Sequence, residues 1–191
     1  MQDIRIEGLS KRFGDKVVLR DVSLRFPAGR VSCLMAPSGA GKTTLLRILM
    51  GLETADEGRV TGLEGARIAP VFQEDRLLEG LDAAGNIRLV TPGLSDPDAA
   101  EALRDFSLEA VAGQPVSQLS GGMRRRVALL RALLSDGEVL LLDEPFTGLD
   151  ADTRDRVIDA MLGRIHGRTA LVVTHDPEVA ERMGAEVFTL K

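Results

Sequence analysis

The residues Ala36-Pro37-Ser38-Gly39-Ala40-Gly41-Lys42-Thr43-Thr44 carry the densest chemistry in the chain. Two glycines let a backbone curl until successive N–H groups face one point. Lys42 adds a fixed positive charge, and Thr43 and Thr44 add hydroxyl oxygens. An apolar run, Val31–Met35, precedes the segment, and Leu45, Leu46, Ile48, Leu49 and Leu52 follow at helical spacing. A curled backbone between a strand and the start of a helix is an anion cradle. The spacing is that of a phosphate loop, with Ala36 where the pattern has its first glycine. In such a loop Lys42 reaches the β- and γ-phosphates of a nucleotide and the Thr43 hydroxyl ligates Mg2+. Ala36 retains its N–H, so the cradle survives wherever the local backbone angles suit a side chain. The plainer alternative is a glycine-rich turn that only starts a helix.

A second anchor lies about a hundred residues on. Val139-Leu140-Leu141-Leu142 is a continuous apolar run that ends in Asp143-Glu144. Ligands in open α/β sheets sit at the carboxyl ends of the strands. Asp143 would there face a Mg2+ held near Thr43, and Glu144 would orient and deprotonate an attacking water. A solvated pair of charges at a strand end is the alternative. Three further features fall in order along the chain: Gln73 after the apolar run Ile68–Phe72, Leu119-Ser120-Gly121-Gly122-Met123 before a helical stripe, and His175 at the end of Thr169–Thr174.

These residues need elements to hold them. Val31–Met35, Val139–Leu142 and Ala170–Val173 read as strands buried on both faces, the mark of a parallel sheet. Helical stripes alternate with them, including Val127, Leu130, Leu133 and Leu134, and Val157, Ile158, Met161, Leu162 and Ile165. The expected fold is α/β, a phosphate-loop core with a mostly parallel sheet. Residues 1–30 predict a small antiparallel β region, with Gly14-Asp15 between Ile4–Phe13 and Val17–Phe26. Residues 82–117 lack a strand signal, are rich in Ala, Asp and Glu, and predict a small helical insert. The core is then 31–81 and 118–191, and the whole, 1–191, a single domain. Arg124-Arg125-Arg126 reads as a solvated helix face with some ion pairs. Cys33 reads as a small core residue.

Composition narrows the function classes. The chain has 191 residues, a net charge of −5, 44% hydrophobic residues, and neither Trp nor Tyr. The acidic balance and the scarcity of aromatics argue against a nucleic-acid partner. A single cysteine precludes an internal disulfide. The charged N-terminus predicts no signal peptide, and no apolar run approaches the ~18 residues of a membrane span.

In its phosphate loop, the Leu119-Ser120-Gly121-Gly122 segment 23 residues before Asp143, Gln73 and His175, the sequence resembles the ATP-binding cassette family, and specifically a transporter's ATP-binding subunit. The resemblance spans essentially the whole chain. It implies ATP and Mg2+ as ligands, bound by Pro37, Ser38, Gly39, Ala40, Gly41, Lys42, Thr43 and Thr44, with Thr43, Gln73 and Asp143 around the metal. It implies that Glu144, His175, Lys42 and Gln73 carry the hydrolysis. Phe13 falls where the family stacks an aromatic on adenine; a hydrophobic plug is the alternative. Gln73 would contact Mg2+, the attacking water and the transport partner, or be an exposed loop amide. Asp150 matches the family's dimer loop, or is a helix N-cap. Ser120, Gly121 and Gly122 would complete the site of a second subunit, so that a homodimer has two full sites.

The same resemblance implies integral membrane permease subunits as partners and a cytoplasmic position against the inner face of the membrane. Import is the expected direction, and Val71–Leu78 with Met123 is similar to the nitrate, sulfonate and taurine importer group. Alternatives of other classes are an exporter subunit, a cluster-assembly ATPase, or a phosphate-loop kinase with no use for Leu119–Met123. Ala36 and Met123 depart from the family pattern. Neither touches Lys42, Asp143, Glu144 or His175, so active hydrolysis is expected.

Overall fold

The computed structural model describes residues 2–37 and 39–190. The strands are β1 (Ile4–Phe13), β2 (Lys16–Phe26), β3 (Val31–Met35), β4 (Glu57–Thr61), β5 (Ile68–Val71), β6 (Val139–Asp143), β7 (Thr169–Val173) and β8 (Glu186–Thr189). The helices are α1 (Lys42–Leu49), α2 (Ala83–Arg88), α3 (Asp96–Asp105), α4 (Gly121–Leu134), α5 (Ala151–Ile165) and α6 (Pro177–Arg182).

Among the described residues two sheets form. One has the order β5-β6-β7-β3-β8, and its neighbours pair in parallel. Its central strands alternate between two cores. Val139, Leu141, Leu171 and Val173 point to one side, where α1 and the inner faces of β1 and β2 cover them. Leu140, Leu142, Ala170 and Val172 point to the other, against α2 to α6. Burial on both faces is why these strands read as unbroken apolar runs.

The second sheet is antiparallel, with the order β2-β1-β4. The hairpin turns at Gly14-Asp15 and brings Phe13 opposite Lys16. The third strand, β4, comes from within 31–81, the segment expected to be core, and pairs with the free edge of β1. The Glu-Gly-Arg-Val-Thr of β4 is mostly exposed and carries no alternating apolar signal, so only the long-range pairing defines it. Between Asp82 and Ser117 the described elements are helical: α2, α3 and two short 3-10 turns.

The three-arginine run differs from its expectation. Arg125 and Arg126 are buried, 6% and 8% exposed, and are not a solvated face. Arg126 donates to the carbonyls of Phe106 (2.7 Å) and Ser107 (2.8 Å), pinning the end of α3 to α4. Apart from the Asp75 carboxylate beside Arg125, their acceptors are main-chain carbonyls, which leave no trace in residue types.

Gly58 shows how tightly β4 seats. Its φ is +83°, and a Cβ there would lie 2.5 Å from the carbonyl oxygens of Glu7 and Gly8. Gly58→Ala is expected to lower stability by about 2–4 kcal/mol, read as a fall in the urea midpoint. An unchanged midpoint would mean that β4 can move away from β1.

Candidate functional site

The sheet order places β7 between β3 and β6. The loops leaving the carboxyl ends of these three strands therefore emerge side by side and carry Lys42, Thr43, Asp143, Glu144 and His175, while Gln73 follows β5, the neighbour of β6. The loops are knitted together: the Glu144 N–H donates to the Val173 carbonyl (2.9 Å) and the Thr174 N–H to the Leu34 carbonyl (3.2 Å).

After β3 the chain enters the glycine-rich loop. Ser38 lies outside the described residues. Gly39 and Gly41 have φ of +81° and +91°. At Gly41 a Cβ would also stand 2.7 Å from Leu19 and 2.8 Å from the Val18 carbonyl, so β2 packs directly on the loop. Ala36 is not among the residues with positive φ, and its methyl is buried against the core. The substitution at the loop's first position is therefore compatible with the fold. The loop closes through the Ala40 N–H on the Pro37 carbonyl (3.2 Å), and Lys42 Nζ donates to the carbonyls of Ala36 (2.6 Å) and Pro37 (3.1 Å).

The start of α1 is unlike the others. Side chains cap α2, α3, α4, α5 and α6 at Asp82, Ser95, Ser120, Asp150 and Asp176. Among the described residues α1 begins at Gly41 with no side chain capping its first N–H groups, and the helix dipole there favours negative charge.

Thr43 Oγ1 donates to Asp143 Oδ2 at 2.8 Å, joining the loop to β6. Asp143 is 4% exposed. Burial raises its pKa above the ordinary carboxylate value, and the Glu144 charge adds to this; the Thr43 hydrogen bond, Arg125 and Lys42 oppose it. The next residue, Glu144, has φ +48°, a strained conformation for a residue with a side chain. Its Oε1 lies 2.9 Å from His175 Nδ1. The two side chains thus lie within hydrogen-bond distance across the ends of β6 and β7.

One cavity of about 420 Å3 is lined by Phe13, Lys16, Val18, Gly39, Gly41, Lys42, Thr43, Thr44, Gln73, Asp143 and Glu144. Phe13 is half exposed at the hairpin end and faces this cavity, so it is not a plug in the sheet. Gln73 is exposed, and also lines a second cavity of about 520 Å3 with Arg47, Met50, Phe72 and Arg76. Ser120, Gly121, Gly122 and Asp150 line neither. They form a separate edge: a Cβ on Gly122 would lie 3.0 Å from the Gly148 carbonyl, so the start of α4 abuts the loop before α5. Asp150 is the N-cap of α5, accepting from the Thr153 N–H at 2.9 Å, as its simpler reading had it.

Two positioning side chains escaped the sequence reading. Arg154 on α5 pairs with Asp176 and Glu178, both at 2.9 Å, and so ties down the segment that follows His175. Arg125 holds the backbone around Gln73. Neither stands within a recognisable motif, and their acceptors come from distant segments.

Together these features define a phosphate-loop site whose cavity is also lined by an exposed aromatic on a separate β hairpin. The sequence pattern of the ABC transporter family matches residues 19–147, and the chain belongs to that family. An aliphatic sulfonates import ATP-binding protein of Burkholderia cenocepacia (strain HI2424) is 40% identical over 98% of this chain and 73% of its own length. A corresponding protein of Nocardia farcinica (strain IFM 10152) is 43% identical, covering 98% and 77%. The fold is similar to the dimeric structure of a bacterial ABC transporter cassette, with a TM-score of 0.84 at 30% identity over 98% of this chain and 94% of that one. A post-hydrolysis cassette bound to ADP and Pi matches at the same TM-score and 29% identity. The chain is an ATP-hydrolysing cassette, and among its described residues no helix is long and apolar enough to cross a membrane.

Asp143 gives a test of what its burial is for. A raised carboxyl pKa means the folded state holds the proton more tightly than the unfolded chain does. The charge therefore opposes folding above the raised pKa, and this opposition vanishes below the ordinary carboxylate range. Asp143→Asn keeps an acceptor for Thr43 and removes the charge. Its melting temperature is expected to exceed the parent's by about 2–4 °C at neutral pH, with the difference closing in acid. A lower melting temperature at neutral pH would show that the carboxylate stabilises the fold.

Proposed function

We propose that this chain drives an importer, binding and hydrolysing ATP in a dimer of two cassettes docked on separate membrane permease subunits. The observation that carries this reading is the meeting of Thr43 with Asp143, and of Glu144 with His175, beside one cavity that also takes in Phe13 and Lys42. The curated relatives are import proteins for aliphatic sulfonates and for sulfate or thiosulfate. Small sulfur oxyanions are accordingly the cargo class we assign. Cargo selection itself belongs to the other subunits. The chain acts from the cytoplasm, held peripherally at the inner face of the membrane.

The roles follow from position. Phe13 offers a π-face to adenine. Gly39, Ala40, Gly41 and the uncapped N–H groups of α1 take the phosphate oxygens, with Pro37, Ser38 and Thr44 completing the loop. Lys42 exchanges the carbonyls of Ala36 and Pro37 for the β- and γ-phosphates. The donors around Asp143 suit Mg2+: a carboxylate, the Thr43 hydroxyl and the Gln73 amide are all hard oxygen ligands. Bound there, Mg2+ would neutralise the charge on the phosphates. Glu144 accepts the proton of the attacking water, and His175 holds the Glu144 carboxylate in place.

The edge of Ser120, Gly121 and Gly122 offers a helix N-terminus that lines neither of the chain's own cavities. Two copies set head to tail let each edge finish the other's site, with Asp150 at the seam, so a homodimer suffices. The exposed loop at Gln73 and Glu74 is where we assign the docking of a permease segment; the cavity of about 520 Å3 beside it also takes in Thr43 and Asp143 and so adjoins the metal site.

Glu144→Gln tests both hydrolysis and dimerisation. Binding is retained while the base is lost, so ATP is expected to shift this variant from monomer to dimer in gel filtration; monomer alone would sink the sandwich. Lys42→Ala is expected to lower ATP turnover at least about a hundredfold. Near-normal turnover would move the site elsewhere.

A further inference from the structure

Gln73 and the Ser120 edge belong to segments joined by arginines of α4, of which Arg125 reaches Gln73 itself. Arg125 lies five residues after the cap Ser120 and is 6% exposed. Its Nη1 donates to the Phe72 carbonyl at 2.5 Å and its Nη2 to the Gln73 carbonyl at 2.7 Å. The same Nη1 lies 3.2 Å from Asp75 Oδ1. A planar guanidinium held at three points fixes the orientation of what it grips, and not merely its distance.

The neighbouring arginines hold the other end of the same loop. Arg131 donates to the carbonyls of Asp75 (3.2 Å) and Arg76 (2.9 Å), and Arg124 faces Asp75 and Glu79. Only Arg125 among these three reaches the carbonyl of Gln73 itself. Gln73 and Glu74 are exposed, so water could satisfy the loop's carbonyls. Burying a guanidinium for that purpose costs desolvation that an apolar side chain of the same volume would avoid. What the arginine adds is a rigid connection.

We propose that Arg125 is a positioning residue for hydrolysis. It fastens the backbone of Gln73 to α4, so that the Gln73 amide comes to its place beside Asp143 when the start of α4 takes up the closed arrangement. The inference rests on the role assigned to Gln73 above and extends it: occupancy at the Ser120 edge, in the partner's site, is reported to this chain's own site through one guanidinium.

The test is a double-mutant cycle on the purified full chain, reading kcat and KM for ATP and the melting temperature. Arg125→Gln is expected to lower kcat about tenfold with KM within about twofold and a folded melting transition. The double variant Arg125→Gln/Gln73→Ala is expected to turn over no more slowly than Gln73→Ala alone, because Arg125 acts through Gln73. Arg125→Lys keeps the charge but cannot fork to two carbonyls, and is expected to lose kcat likewise; it replaces Arg125→Gln in the cycle if that variant fails to fold. Wild-type kcat in either variant overturns the proposal, as does a double variant whose loss is the product of the two single losses. If Gln73→Ala alone leaves kcat unchanged, the role assigned to Gln73 fails first and this inference falls with it.

Discussion

The site exists because β7 is hydrogen-bonded to β3 on one side and to β6 on the other. These three strands come from widely separated parts of the chain. Parallel pairing forces their carboxyl ends to the same edge of the sheet, where crossover connections leave the loops free to carry function. The Thr43–Asp143 hydrogen bond of 2.8 Å then closes the gap above β7 between two residues a hundred positions apart. A slip of one residue in either pairing would exchange Leu140 and Leu142 for Val139 and Leu141 in the two cores. Both faces are apolar, so volume, more than polarity, sets this register. Ala170, on β7, shows that matching, as the one small residue among Leu and Val.

The loops are costly structures, and the costs gather where the chemistry is assigned. Asp143 is a buried carboxylate with a raised pKa. Glu144 has a left-handed backbone at a position with a side chain. Among the described residues the first turn of α1 has no side-chain cap, unlike those of the other helices. Each feature disfavours the fold slightly on its own, and the buried charge and the open helix start are what a triphosphate with a cation would relieve. Such local conflict within an otherwise consistent fold is how a functional site shows itself physically.

How much of this was legible depended on whether the determining groups were side chains. The central strands and the stripes of α1, α4 and α5 announce themselves, because burial is written in residue type and period. The motif residues were legible for the same reason: a lysine, an aspartate and a histidine have few substitutes for their chemistry. β4 and β8 were not, since both are short, largely exposed and defined by partners distant in sequence. The burial of Arg125 and Arg126 was hidden by their acceptors, all but one of them main-chain carbonyls. Charge composition reads such arginines as surface, whereas their long stems and forked donors let them reach carbonyls deep in the structure.

Ala36 shows why a motif must be read as a set of physical demands. The pattern has glycine at two positions, Ala36 and Gly41 here, and this loop adds Gly39; the three positions do not ask for the same thing. At Gly39 and Gly41 the backbone has positive φ, and at Gly41 β2 leaves no room for a Cβ. At the first position the backbone is not left-handed, and the methyl of Ala36 packs into the same core as Leu34 and Leu45. A phosphate cradle there needs a main-chain N–H, which alanine has as much as glycine. The exchange therefore trades backbone freedom in the unfolded chain for a buried methyl, both in favour of the fold, and leaves the cradle's donors untouched.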